Sequence, residues 1–252
     1  MAAACSSFLT GISEYDWVTA MDEAEFDKFA TEYRTIHAAN IKLSGEDPEY
    51  FAEYKVIDIA AEFHRAYGDG PAPAVLDFGA GIGYSIPFFR RHLPSARVTC
   101  LDVSKKSLEI GASQYAAHAE FVHFDGSSIP YREQHFDIAL ASCVFHHIPH
   151  RQHVALLGEI KRVLKRGGLL FIFEHNPLNP LTRHAVNTCA FDENAELIMA
   201  PVMRRRARDA GFEDARIKYR IFFPRILRSL RRFESRLTWL PLGAQYYVIA
   251  QK

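Results

Sequence analysis

Residues 75–89 read VLDFGAGIGYSIPFF, an apolar run, then glycines at 79, 81 and 83, then a second apolar-rich stretch. Alternate glycines let a backbone turn sharply and pass close beneath a ligand, where a Cβ would collide. A strand that ends in such a turn and feeds a helix offers backbone donors and a positive dipole end to a nucleotide-like ligand. This corner points to an α/β chain in which strands and helices alternate.

The rest of the sequence carries that alternation. Short apolar runs predict strands at 74–78, 97–101, 120–124, 137–142 and 169–173, with helices at 84–93, 105–116 and 152–164 between them. The turn KRGG at 165–168 reads as a helix stop before a strand. A helix near 195–210, a strand near 216–222, an arginine-rich helix near 224–237 and a strand at 245–250 complete the chain. The expected fold is a doubly wound, mostly parallel seven-stranded sheet with helices on both faces. A helical insertion precedes the last strand.

Ahead of the first strand, Phe26, Phe29, Tyr33 and Ile36 recur at helical spacing and predict a helix over 22–40. Asp47 as cap and Pro48 at the first position open a second helix over 49–67. These helices read as an N-terminal cap over 22–70, joined to a unit over 71–252. Residues 1–21 read as a flexible extension.

The chain has 252 residues, enough to bury a full core, and no formal net charge. Charge is nevertheless uneven. Residues 14–62 hold thirteen acidic and four basic side chains, whereas 201–236 hold twelve basic and four acidic ones, eleven of the basic being arginine. Two solvated faces, or a basic wall near an anionic acceptor or membrane surface, both fit that pattern. Cys5, Cys100, Cys143 and Cys189 form no paired motif, which suggests free thiols in a reducing compartment. With neither a secretory leader pattern nor an apolar run of spanning length, a cytoplasmic location is expected.

Asp102 stands nineteen residues past Gly83, at the end of the next strand, where a carboxylate can accept from both ribose hydroxyls. Helix capping is its bland alternative, a role Ser104 suits equally. The spacing is GxGxG with Asp77 two positions earlier, not the GxGxxG of dinucleotide binders. Together with LDVS at 101–104, FDGSSIPY at 124–131, FDIALASCVFHHI at 136–148 and EIKRVLKRGGLLFIFE at 159–174, it resembles the class I S-adenosylmethionine-dependent methyltransferases. By that resemblance the cofactor is S-adenosylmethionine, leaving as S-adenosylhomocysteine. Gly79, Ala80, Gly81 and Gly83 would meet its methionine part, and Asp77 would fix the turn. Asp102 would hold the ribose, Val103 would pack on the adenine, and Asp125 beside Gly126 would accept from the adenine amino group. Ser142 would touch the methionine moiety, and Tyr33 would close over its carboxylate or serve as core.

In open α/β sheets ligands lie beyond the carboxyl ends of the strands, so bases are sought after the fourth and fifth strands. Glu174 and His175 are the leading catalytic candidates, with His146 and His147 flanking them. The cluster HHIPHRQH at 146–153 invites a metal, but no cysteine or carboxylate is spaced along the chain to complete a site, and none is expected. FEHNPLNPLTRHAVNTCAFDENAEL at 173–197 reads as a pocket wall that leaves the strand stiffly through its two Asn-Pro steps, with Asn176, Arg183 and Asn187 able to project polar groups and Asn176 and Asn179 equally able to satisfy turns.

The expected function is methyl transfer to a small molecule, to oxygen or nitrogen before carbon, in specialised or glycan- and lipid-precursor metabolism. An inactive binding relative, or an enzyme for a macromolecule, is the alternative. No nucleic-acid partner is expected, because the place after the fourth strand reads SCVFHH and no basic amino-terminal module precedes the fold. An anionic or amphiphilic acceptor and peripheral membrane contact remain open through the arginine-rich segment.

Overall fold

The computed structural model describes residues 44–252 apart from 69, 190, 191 and 193. The expected extension, the helix at 22–40 and Tyr33 lie outside the described residues. One sheet is formed by β1 (Ala74–Phe78), β2 (Arg97–Asp102), β3 (Ala119–His123), β4 (Phe136–Ser142), β5 (Leu164–His175), β6 (Glu213–Arg220) and β7 (Gln245–Gln251). Their order across it is β3–β2–β1–β4–β5–β7–β6. The first five are parallel, and β7 runs antiparallel to both β5 and β6.

Strands covered on both faces need apolar side chains pointing both ways, and alternate residues divide accordingly. Val75, Val98, Ile138, Leu140, Phe171 and Phe173 pack with Phe51, Val56, Ile59 and Phe63 of α1 (Pro48–Tyr67) and Phe88 and Phe89 of α2 (Ile86–His92). Leu76, Phe78, Ala139, Ala141, Leu170 and Ile172 face Leu156, Leu157 and Ile160 of α4 (His153–Val163) and Met203 and Ala207 of α6 (Ala200–Asp209). Each such buried Val, Leu, Ile, Phe or Met side chain contributes about 1.5–3 kcal/mol. Helix α3 (Lys105–Tyr115) lies against β2 and β3. Helix α1, the second of the helices read as a cap, packs on one face of the sheet.

Several boundaries move for local reasons. Pro48 opens α1, but the Asp47 side chain makes no capping bond. Ser104, not Asp102, caps α3, its hydroxyl accepting from Ser107 N–H at 3.0 Å. Helix α2 starts at Ile86, because 81–85 is taken up by turns, with Gly83 N–H bonded to Ala80 O at 3.0 Å. KRGG is not a helix stop but part of β5: α4 ends at Val163, Leu164 already pairs with Phe136, and Gly167 has φ +80°. Pro201, in the first turn of α6, favours a start at Ala200 rather than 195. Strand β6 stops at Arg220 because Ile221 has φ +63°.

The arginine-rich stretch, expected as an α-helix on an apolar stripe, is 3₁₀ over Arg225–Arg236 with a kink at Leu227. Ile226 is 89% exposed, so the stripe is not held against a core. An unexpected helix, α5 (Pro180–Asn187), follows β5. Among the described residues no helix is long and apolar enough to cross a membrane.

Candidate active site

Chain connections diverge between β1 and β4, which opens a crevice at the carboxyl ends of those strands. The glycine turn lines it. Gly79, Gly81 and Gly83 have φ of +71°, +55° and +81°, conformations that a Cβ disfavours. Their surroundings differ. A Cβ on Gly79 would lie 2.5 Å from Val144 Cγ2, and one on Gly83 would lie 2.6 Å from Ile86 Cδ1. A Cβ on Gly81 would meet nothing within 4 Å. Gly81 therefore faces open space while its neighbours serve packing.

Two carboxylates brace the turn. Asp102 Oδ2 accepts from Gly81 N–H at 2.7 Å and Oδ1 from Ser104 N–H at 2.9 Å. Asp77 is buried and accepts from the Ser85 hydroxyl. Burial lifts its carboxyl to about 6, the Ser85 bond opposing and the Asp102 charge reinforcing the rise. Further along the crevice, Asp125 Oδ1 gathers Ser127 N–H at 2.8 Å, Ser127 Oγ–H at 2.9 Å and Ser128 N–H at 3.0 Å, which holds its carboxyl low. Gly126 follows with φ +87°. Val103 lies in the core cluster beside α4 and is 4% exposed.

The sequence reading did not single out Lys55, whose Nζ reaches from α1 to donate to Ser142 Oγ at 2.7 Å. It also lies 3.5 Å from Cys143 Sγ. Cys143 has φ +58°, which turns the chain out of β4 at the crevice mouth. Burial pushes its thiol up, but Lys55 and His175 outweigh that and bring it down to about 7. His175 answers in kind: burial lowers it, the Cys143 thiolate raises it, and the net direction is upward. Both are only partly buried, so this pair borders the space above β4 and β5. Tyr54 Oη donates to Gln245 Oε1, and Gln245 Nε2 lies 3.5 Å from His175 Nδ1.

Glu174 sits on the opposite side of β5 and is fully buried. Its Oε1 accepts from Phe145 N–H at 2.8 Å and its Oε2 from His146 Nδ1–H at 2.5 Å. Glu174 thus holds the loop after β4 rather than facing the crevice. His146 is 2% exposed; burial opposes its charge, yet Glu174 and Asp192 raise it to about 10. Burial and the neighbouring His146 charge push His147 down to about 3. Asp192 Oδ1 is 3.5 Å from both His146 Nε2 and His147 Nε2. His153, the last of the run, is structural: Nε2–H donates to Ile148 O at 2.8 Å and Nδ1 accepts from Arg206 at 2.7 Å.

FEHNPLNP satisfies turns. Asn176 Nδ2 donates to Gly243 O at 2.7 Å, and Asn179 Oδ1 caps α5 through Leu181 N–H and Thr182 N–H, both at 3.1 Å. Arg183 and Asn187 are exposed on α5.

Residues 75–168 match the family profile described as a methyltransferase domain. A demethylmenaquinone methyltransferase of Thermotoga maritima is 30% identical over 154 residues, 61% of each chain. A ubiquinone/menaquinone biosynthesis C-methyltransferase of Ectopseudomonas mendocina is 28% identical over 131 residues, 49% of this chain and 50% of that one. The chain therefore spans between half and three fifths of the length of these curated relatives. Among solved structures, an S-adenosylmethionine-dependent methyltransferase of Thermotoga maritima superposes with TM-score 0.63 at 18% identity, covering 92% of this chain and all of that one. The [4+2]-cyclase SpnF also shares the fold, with TM-score 0.56 at 18% identity over 77% of this chain and 80% of that one. Fold likeness alone does not fix chemistry.

Proposed function

Because this chain belongs to the class I S-adenosylmethionine-dependent methyltransferase family, we propose that it methylates a small molecule held above the ends of β4 and β5. S-adenosylmethionine supplies a methyl group already activated on a sulfonium sulfur and leaves as S-adenosylhomocysteine. The observation that carries this reading is the open space at Gly81, in a turn whose other two glycines are closed by packing. A cofactor approaching the backbone needs that opening.

The residues around it fit such a cofactor. Asp102, at the end of β2, would hold the ribose, and the Asp125–Gly126 turn would receive the adenine edge. Residues 79–83 and Ser142 would border the methionine part, with Asp77 and Ser85 keeping the turn in shape. Val103 would support the adenine from within the core.

Proton removal from the acceptor falls to His175. It borders the crevice, and the Cys143 thiolate beside it stabilises the imidazolium that forms. Glu174 and His146 act as positioning residues, fixing the loop that carries Cys143 and Phe145. The acceptor atom is one made nucleophilic by proton loss. Oxygen and nitrogen answer to that description, and so does a ring carbon activated by an ionised hydroxyl, which the relatives named as C-methyltransferases bring within range. Leu178, Leu181, Trp239 and Leu242 stand exposed near the Asn176–Gly243 junction and favour an acceptor with an apolar part.

Calorimetry with S-adenosylmethionine, S-adenosylhomocysteine and NADH in parallel tests the reading. Binding of the first two and not the third is expected; a preference for NADH would overturn it. Labelled methyl transfer into metabolite extracts then identifies the acceptor.

A further inference from the structure

The chain places a carboxylate where its own sequence spacing offered none. Asp192 lies forty-five positions past His147, yet its Oδ1 stands 3.5 Å from Nε2 of His146 and 3.5 Å from Nε2 of His147. The three ligand atoms lie within 4.8 Å of one another. From these side chains we propose that His146, His147 and Asp192 form a binding site for a divalent first-row metal ion of the zinc type.

Three features support the assignment. An N–H···O hydrogen bond is usually about 2.7–3.2 Å long, so two equal separations of 3.5 Å to one oxygen are long for direct bonds. Ligands about 2.0–2.1 Å from a tetrahedral ion stand about 3.4 Å from each other, which matches. Second, Glu174 Oε2 accepts from His146 Nδ1–H at 2.5 Å and so fixes the tautomer. Nε2 faces Asp192 at 3.5 Å, and an ion binding there would displace its proton and take the lone pair, the arrangement by which outer carboxylates orient metal-bound histidines. Third, the donors are two imidazoles and one carboxylate, a set that zinc accepts with a further position left for water or an acceptor oxygen.

The segments that meet here are otherwise unrelated. His146 and His147 follow β4 on a short 3₁₀ turn, and Asp192 follows α5. A backbone bond from Glu196 N–H to His146 O at 2.8 Å ties the second segment to the first. A bound ion would add to that tie.

The test uses untagged full-length protein stripped with chelator, titrated with Co²⁺ by absorption at visible wavelengths and then with Zn²⁺ in competition. One equivalent of Co²⁺ with the intense bands of a tetrahedral site is expected, displaced by Zn²⁺, together with a rise in Tm. Asp192→Asn and His147→Ala should each weaken binding at least tenfold, and Glu174→Gln about 10–100-fold through its hold on His146. His150→Ala is the control, since His150 pairs separately with Glu196 at 3.2 Å on the surface and should bind as the parent does. Absence of stoichiometric binding by the parent, or binding unchanged by Asp192→Asn, would overturn the site. Because the readout is metal alone, it is independent of cofactor binding and methyl transfer, and either reading can fail without the other.

Discussion

Lys55 Nζ donates to Ser142 Oγ at 2.7 Å, so a helix that precedes the glycine turn in sequence delivers a buried cation to the end of β4. The same ammonium stands 3.5 Å from Cys143 Sγ and helps hold that thiol at about 7 against the opposing effect of burial. Replacing Lys55 by Met keeps the stem and removes the charge. Alkylation of Cys143 by iodoacetamide, followed peptide by peptide, should show a midpoint near pH 7 in the parent and a higher one in Lys55→Met. Identical midpoints would refute the coupling. Cys100 and Cys189 are buried and should react slowly in both.

Gly79 and Gly81 separate packing from ligand approach. Both have positive φ, so alanine at either costs about 1–2 kcal/mol in backbone strain. At Gly79 the new methyl also collides with Val144, adding about 1–3 kcal/mol. Urea unfolding should therefore rank Gly79→Ala as the less stable variant. Calorimetry should show Gly81→Ala as folded but impaired in S-adenosylmethionine binding by tenfold or more. Undiminished affinity in Gly81→Ala would remove the observation on which the functional reading rests.

The sheet was legible because its strands are buried on both faces. Ala74–Phe78 reads as a continuous apolar run interrupted by Asp77, and helices of steady period separate it from its neighbours. The glycine turn and Asp102 were legible as local chemistry. What stayed hidden depends on distance along the chain. Lys55 to Ser142 and His147 to Asp192 join segments that no local pattern links, and Asp192 was visible only as one residue of the stretch 173–197 read as pocket wall. Glu174 was visible as a residue type, but its facing was not. One step along β5 separates it from His175, and alternation sends the two to opposite sides of the sheet. The 3₁₀ form of Arg225–Arg236 was missed because its apolar spacing is helical while Ile226 stands 89% exposed.

Asp77 should make stability depend on pH. Its folded carboxyl stands at about 6, above its ordinary 3.8, so the folded state binds a proton more tightly than the unfolded one. The associated stability is fully present below pH 3.8 and is lost as pH rises through 6, a loss of about 3 kcal/mol at neutrality as an order of magnitude. Asp77→Asn removes the ionisation and leaves an oxygen for Ser85. Urea midpoints of parent and variant should nearly agree at pH 4, diverge as pH rises to about 6 and stay apart above it, with the variant more stable. A constant gap across that range would show that Asp77 does not titrate as described.

Glu174 and His146 form a buried pair whose value is positional. Truncation to Glu174→Ala leaves the His146 imidazole and Phe145 N–H without their carboxylate partner, and breaking a buried pair this way costs about 3–5 kcal/mol. Glu174→Gln keeps an oxygen for Phe145 N–H and should cost less. Chemical unfolding of both variants checks the order; equal and small losses would mean that the loop after β4 is held by other contacts.

His175 as base makes a prediction about the pH limb of the reaction, measured with the acceptor that labelled methyl transfer identifies. A base works only when unprotonated, so turnover should rise with pH through the His175 pKa, which the Cys143 thiolate lifts above its ordinary value. Cys143→Ala removes that anion, and the limb should move to lower pH while S-adenosylmethionine affinity stays within about twofold, inside the usual spread of such effects. His175→Ala should lower kcat about 10²–10⁴-fold, again with little change in cofactor affinity. A limb that does not move in Cys143→Ala, alongside undiminished turnover in His175→Ala, would assign proton removal to another group. An unmoved limb with turnover lost in His175→Ala would instead leave the imidazole as base and remove Cys143 as the source of its raised pKa.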